Sequence, residues 1–193
     1  MSKIIALTGS KGCGKDTTGR ILKDAYHISG KRIIRPIAFA DPIKHEVMRI
    51  FNLATIEEYD VFKRSIIQSP NARIDGRHVV REIGMLMRKY DTNQFVDYVD
   101  QRINTVDDNP TRDTIWVITD LRFDNELIHL QNLGAKIVKI DRPLGNIIDT
   151  HITERGFDNN ICDVILENKT TLEEYTEEVL KIFDKKLMEW NWI

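Results

Sequence analysis

Short apolar runs alternate along the chain with longer stretches of helical spacing. Ile4-Ile5-Ala6-Leu7-Thr8 is a continuous apolar run closed by Gly9, the pattern of a strand buried on both faces of a parallel sheet. Ile21, Leu22 and Ala25 then recur at helical spacing and predict a helix from Lys15 to about Ser29, with Gly30 as its stop. Ile33 to Phe39 reads as a second strand. Asp41-Pro42 predicts a helix start, with Asp at the cap and Pro in the first turn. From there to about Asp108 the apolar residues keep helical spacing (Val79, Ile83, Leu86 and Met87; Phe95, Val99 and Ile103), and no strand pattern stands out. This stretch reads as a helical insertion.

Asp107-Asp108-Asn109-Pro110 predicts a loop, and Thr114 to Thr119 a buried strand ending in Asp120. A helix over about Asp124 to Leu133 is separated by Gly134 from a strand over Lys136 to Ile140. The polar stretch from Asp141 to Asn160 has no periodicity. It precedes a short strand, Val164 to Leu166, and a C-terminal helix beginning near Thr171, whose closing Trp190-Asn191-Trp192 reads as apolar packing. Strands alternating with helices mean a parallel sheet covered on both faces.

Composition narrows the class. The 193 residues suffice for one real core, so a single domain with an insertion is expected, and 41% hydrophobic against 30% charged residues is the balance of a globular protein. A net charge of -2 argues against a surface that neutralises a polynucleotide, so nucleic acid is not the expected partner. The first apolar run is too short for a signal or a membrane span, and no later stretch is long enough either, which makes the cytoplasm the expected compartment. The two cysteines, Cys13 and Cys162, are far apart and lack metal-ligand spacing.

The strongest chemical signal is Gly9-Ser10-Lys11-Gly12-Cys13-Gly14-Lys15, which fits G-x-x-x-x-G-K between a predicted strand and helix. Glycines let successive N–H groups turn inward on phosphate oxygens at the positive end of a helix. Lys15 would bridge the β- and γ-phosphates of a nucleotide. The pattern departs from the usual one after the lysine. Asp16 stands where a Ser or Thr commonly meets magnesium, and the hydroxyl comes at Thr17. Asp16 either receives metal-bound water or places charge in the helix's first turn. Lys11 serves phosphate or is merely exposed, and Cys13 reads as small packing rather than a nucleophile.

Elsewhere, Asp120 followed by Leu121-Arg122 lies at the carboxyl edge of the sheet, where ligands of open α/β sheets gather. It reads as a magnesium-side carboxylate, acting through water, beside a phosphate-binding arginine; a structural ion pair is the alternative. Lys44 and Arg81 are the choices for gripping a phosphorylated acceptor, with Arg64 and Arg73 as weaker ones. Asp149-Thr150-His151-Ile152-Thr153-Glu154-Arg155-Gly156 is dense in polar groups, as a closing lid would be, and its His151 and Glu154 are set with the acceptor-binding residues.

Taken together, these segments resemble the phage deoxynucleoside monophosphate kinase family. The loop Gly14-Lys15-Asp16-Thr17-Thr18, the Phe39-Ala40 and Pro42-Ile43-Lys44 run, the Arg81 to Gly84 helix, Asp120-Leu121-Arg122, Gly134-Ala135, Arg142-Pro143 and the His151-Ile152-Thr153-Glu154 string carry the likeness. It implies an α/β, three-layer P-loop NTPase fold with a central parallel sheet of about five strands, a helical acceptor-binding insertion over about 41–108 and a lid over about 142–160. It also implies ATP as co-substrate, magnesium as cofactor and a deoxynucleoside monophosphate as acceptor. By the same likeness Lys44 and Arg81 hold the acceptor phosphate, Arg122, Arg142 and Arg155 sit near the transferring group or nucleotide, and Asn168 lies near the adenine. The host cytoplasm is the implied compartment for a phage-encoded chain, and a homodimer is one option for assembly. Three other readings stay open: a kinase for dephospho-coenzyme A or phosphomevalonate, an ATP-binding switch or nucleic-acid motor module, which the charge balance disfavours, and a regulatory protein without turnover.

Overall fold

The computed structural model describes residues 3–28, 32–69, 72–105, 113–143 and 157–192. In chain order the elements are β1 (Lys3–Thr8), α1 (Lys15–Ile28), β2 (Arg32–Ile37), α2 (Asp41–Ile50), α3 (Ile56–Arg64), β3 (Ile66–Ser69), β4 (Ala72–Asp75), α4 (Gly76–Tyr90), α5 (Gln94–Thr105), β5 (Asp113–Ile118), α6 (Asp124–Asn132), β6 (Lys136–Asp141), β7 (Val164–Glu167) and α7 (Leu172–Glu189). Backbone contacts divide them into two compact units, Met1–Ala38 with Arg102–Ile193, and Phe39–Gln101.

The first unit is built on a five-stranded sheet in the order β2-β5-β1-β6-β7. Every pairing in it is parallel, with Lys3 opposite Ile115 and Ile5 opposite Lys136 fixing the register of the central strand. Parallel neighbours need crossovers, and helices lie between β1 and β2, between β2 and β5 and between β5 and β6 in the chain. Ile5 and Leu7 of β1, Ile115 and Val117 of β5, and Val138 and Ile140 of β6 pack with Ile21 and Leu22 of α1 and Tyr175, Val179 and Phe183 of α7. The alternate positions Ile4, Ala6, Trp116, Ile118 and Ile137 are buried too, as are Leu127 and Leu130 of α6. This is a three-layer α/β arrangement. Trp190 and Trp192 pack against the core at the end of α7, as the sequence suggests. Thr171 caps α7, accepting from the Glu174 N–H while Glu174 accepts from the Thr171 N–H.

The second unit holds α2, α3, the β3–β4 hairpin, α4 and most of α5. The hairpin corrects the expectation of a wholly helical insertion: β3 and β4 pair antiparallel, with Ile67 opposite Ile74. Four-residue strands give too few alternations to stand out between two helices of strong periodicity. Gly76 explains the tight join to α4, since a Cβ there would lie 2.0 Å from the Phe62 carbonyl oxygen. A second correction concerns α2. Ala40 occupies its cap position without a side-chain bond, and Asp41 is the first helical residue rather than the cap. β2 also stops at Ile37, leaving Phe39 and Ala40 in a turn.

Candidate nucleotide site

The carboxyl end of β1, flanked by β5 and β6, is where the strand order reverses, the point at which ligands of open α/β sheets bind. The glycine loop begins there. Gly9 has φ 135°, and a Cβ on it would lie 2.4 Å from the Ile140 carbonyl oxygen, so the loop passes against the end of β6 at a distance no other residue allows. The loop closes when the Cys13 N–H donates to the Ser10 carbonyl, and α1 opens at Lys15.

Lys15 is 8% exposed. Its ammonium donates to the carbonyl oxygens of Gly9 at 2.7 Å and Ser10 at 2.8 Å and lies 3.7 Å from the Cys13 sulfur. A buried cation is thus held by loop dipoles, with its charge available to an anion. Cys13 is fully buried, and burial pushes its thiol up despite the nearby ammonium, which fits packing rather than nucleophilic chemistry. Ser10, Lys11 and Gly14 are half-buried, and Gly12 is exposed.

Of the three residues after Lys15, Asp16 is exposed, Thr17 is half-buried and Thr18 is fully buried. The Thr18 hydroxyl lies 3.0 Å from the Gly14 carbonyl and 2.7 Å from the Tyr175 hydroxyl. It ties the first turn of α1 to α7. Burial raises the Tyr175 pKa, the bond from Thr18 opposing it, so the phenol stays neutral at ordinary pH. This buried hydroxyl pair escaped the sequence reading, because a tyrosine inside an amphipathic helix looks like any core residue.

Asp120 stands two residues beyond the end of β5 rather than at it, and is half-buried. The Leu121 N–H donates to the Leu7 carbonyl, so this turn is stitched to β1 directly ahead of the glycine loop. Arg122 is half-buried, and its N–H and that of Phe123 both donate to one carboxylate oxygen of Glu126, at 3.0 and 3.1 Å. Glu126 is fully buried. Sequence reasoning missed this carboxylate, although Glu at the third position of a helix is the residue of a capping box.

Asn168, which follows β7, is buried, and its amide donates to the Cys13 carbonyl at 2.8 Å. The side chain expected near adenine is therefore engaged with the glycine loop. Arg142, just past β6, is exposed. His151, Glu154, Arg155 and most of the expected lid lie outside the described residues.

In the second unit, Lys44 and Arg81 stand half-buried on α2 and α4, and Arg64 and Arg73 are exposed. Those two helices meet closely where a Cβ on Gly84 would come 2.7 Å from Ile43 Cδ1, next to Lys44 and one turn after Arg81. The Lys44 ammonium sits 5.6 Å from the centre of the Tyr59 ring. Among the described residues no group of three or more His, Cys, Asp or Glu could hold a metal ion. Asp16 and Asp120 offer oxygen donors singly, which suits magnesium completed by water and phosphate oxygens. No helix among the described residues is long and apolar enough to cross a membrane.

A parallel sheet in this order, with a G-x-x-x-x-G-K loop joining its central strand to a helix, defines a P-loop kinase fold. The dephospho-CoA kinase from Campylobacter jejuni shares that fold: at 16% identity it superposes with a TM-score of 0.50 over 96% of this chain and 97% of its own. The model of the deoxynucleotide monophosphate kinase family matches residues 95–179. A protein of Acanthamoeba polyphaga mimivirus, provisionally named a deoxynucleotide monophosphate kinase, is 28% identical across 94% of this chain and 96% of its own. The deoxynucleotide monophosphate kinase of Enterobacteria phage T4 is 31% identical over a shorter stretch, 33% of this chain and 27% of its own. The chain is thus a relative of the viral deoxynucleotide monophosphate kinases and a phosphotransferase, as the sequence resemblance suggests.

Proposed function

We propose that the chain transfers the γ-phosphoryl group of Mg-ATP to a deoxynucleoside monophosphate, giving a deoxynucleoside diphosphate and ADP. The observation that carries this reading is the buried Lys15 ammonium, held by the Gly9 and Ser10 carbonyls at the carboxyl end of the central strand. There it can neutralise charge that develops on a transferring phosphoryl group. An oxygen of the acceptor's phosphate attacks the γ-phosphorus in line. The bond from that phosphorus to the bridging oxygen breaks, and ADP leaves with the electron pair. The attacking oxygen is already ionised at neutral pH, so no general base is needed.

Lys15 and the amides of residues 10–17 grip the donor phosphates, joined by Arg122, Arg142 and Arg155. Lys44 and Arg81 hold the acceptor phosphate, and Arg64, His151 and Glu154 are assigned to acceptor binding with them. Asp16 and Asp120 would hold magnesium through water; bound with ATP, the ion supplies charge neutralisation on the phosphates. The host cytoplasm is where such an enzyme would meet its substrates.

The test is ADP release from Mg-ATP with each deoxynucleoside monophosphate and the matching ribonucleotide offered separately, beside Lys15→Ala. Turnover with a deoxynucleoside monophosphate, lost in the variant, is expected. Equal ADP release with and without every one of these acceptors would overturn the proposal.

A further inference from the structure

Asn168 joins the end of β7 to α7, and its backbone N–H donates to the Asp141 carbonyl at 2.7 Å, so its position is fixed by the end of the neighbouring strand. The side chain is 8% exposed. Its Nδ2 donates to the Cys13 carbonyl at 2.8 Å, and a Cβ built on Gly14 would lie 2.7 Å from the same nitrogen. The amide therefore lies against the Cys13–Gly14 peptide.

No peptide among the described residues is cis, and in a trans peptide the C=O and N–H point in opposite directions. Drawing the Cys13 oxygen toward Asn168 turns the Gly14 N–H away from Asn168. Gly14 holds φ 114°, a conformation with no strong preference of its own in glycine, so this peptide needs an external brace to stay in one orientation.

We propose that Asn168 is a positioning residue for nucleotide phosphates: by holding the Cys13 carbonyl it keeps the Gly14 N–H facing the phosphate chain, and it contributes to binding through the phosphates rather than the base. This rests on reading the glycine loop as a phosphate site. A side chain that read the base would need its amide presented to the ligand, whereas this amide is buried and bonded to the loop. The Gly14 side of the contact adds a steric half to the brace. Glycine there leaves room for the amide, and the amide in turn blocks the peptide from rotating back.

The experiment measures binding of inorganic tripolyphosphate and of ATP, both with magnesium, to the wild type, Asn168→Ala, Asn168→Asp and Lys15→Ala. Tripolyphosphate has no base, so it separates the two roles. The expected result is a parallel loss of about tenfold in both ligands for Asn168→Ala, the scale of one well-placed hydrogen bond. A larger loss is expected for Asn168→Asp, which keeps the shape but sets a carboxylate against a carbonyl. Circular dichroism of both variants checks folding, and a merely structural defect would not move the two ligands in step while leaving the fold intact. Undiminished tripolyphosphate binding in the folded Asn168 variants overturns the proposal. Tripolyphosphate binding that Lys15→Ala leaves unchanged, or that the wild type lacks, overturns the phosphate-site reading and this proposal with it.

Discussion

Replacing Glu126 tests whether a fully buried carboxylate holds the turn that carries Asp120 and Arg122. One of its oxygens accepts from two backbone N–H groups, at 3.0 and 3.1 Å. Hydrogen bonds to a charged group are worth about 1.5–3 kcal/mol each and neutral ones about 0.5–1.5, so Glu126→Gln, which keeps an oxygen in place and loses the charge, should cost about 2 kcal/mol. Glu126→Ala leaves both donors without this acceptor. At about 1–3 kcal/mol per unsatisfied group, reduced because water can reach a half-buried turn, the loss should be about 3 kcal/mol. For a chain of this length that corresponds to a fall in Tm of roughly 6–12 °C. The three tryptophans, Trp116, Trp190 and Trp192, all belong to the sheet unit, so their fluorescence during urea unfolding reports the unit that contains Glu126. The reasoning is refuted if Glu126→Ala lies within about 0.5 kcal/mol of the wild type, the range of an ordinary surface change. It is also refuted if the Gln variant is less stable than the Ala variant.

Three further outcomes follow from the same geometry. Tyr175→Phe removes one hydroxyl of the buried pair while Thr18 keeps the Gly14 carbonyl, so the expected loss is only about 1 kcal/mol, read from the shift in the urea midpoint. Tyr59 is 5% exposed, and burial first, then the charges of Asp60 and Asp41, push its pKa up to about 12 from 10.0. The folded state therefore holds this proton more tightly than the unfolded chain. Its contribution is complete below pH 10 and is lost as pH rises toward 12, by at most about 3 kcal/mol. Spectroscopic titration should show late phenolate ionisation whose amplitude Tyr59→Phe reduces by one tyrosine, the buried Tyr175 remaining. Finally, Gly9→Ala forces a methyl onto the Ile140 carbonyl and strains φ 135°, so nucleotide binding should fall at least tenfold in an equilibrium titration.

The sheet was legible because its central strands are buried on both faces and so appear as apolar runs: Ile4 to Leu7 and Ile115 to Ile118 are unbroken, and Ile137 to Ile140 is interrupted only by Lys139. The glycine loop was legible because its function demands residue types, not merely hydrophobicity. The β3–β4 hairpin was not, since its pairing partner decides its state and Ile66 remains 49% exposed. Glu126 is bonded within its own helix start and had a local signal in its capping position, whereas the hydroxyl pairing of Tyr175 and the true engagement of Asn168 depend on contacts across the fold. Asn168 is 155 residues from the carbonyl it holds, and no local pattern encodes such a pair.

The order of the strands also bears on how the chain assembles. β1 is made first, yet its register partners Ile115 and Lys136 come more than a hundred residues later. Joining ends across a loop of that length costs roughly 4 kcal/mol of chain entropy. During synthesis the glycine loop therefore hangs from a strand with no sheet partner until residues 113–118 have left the ribosome, while the contacts within residues 39–101 are available earlier. Assembly of the nucleotide site is a late, long-range event, and its rate should respond to substitutions in β5 and β6 far more than to changes in the loop itself.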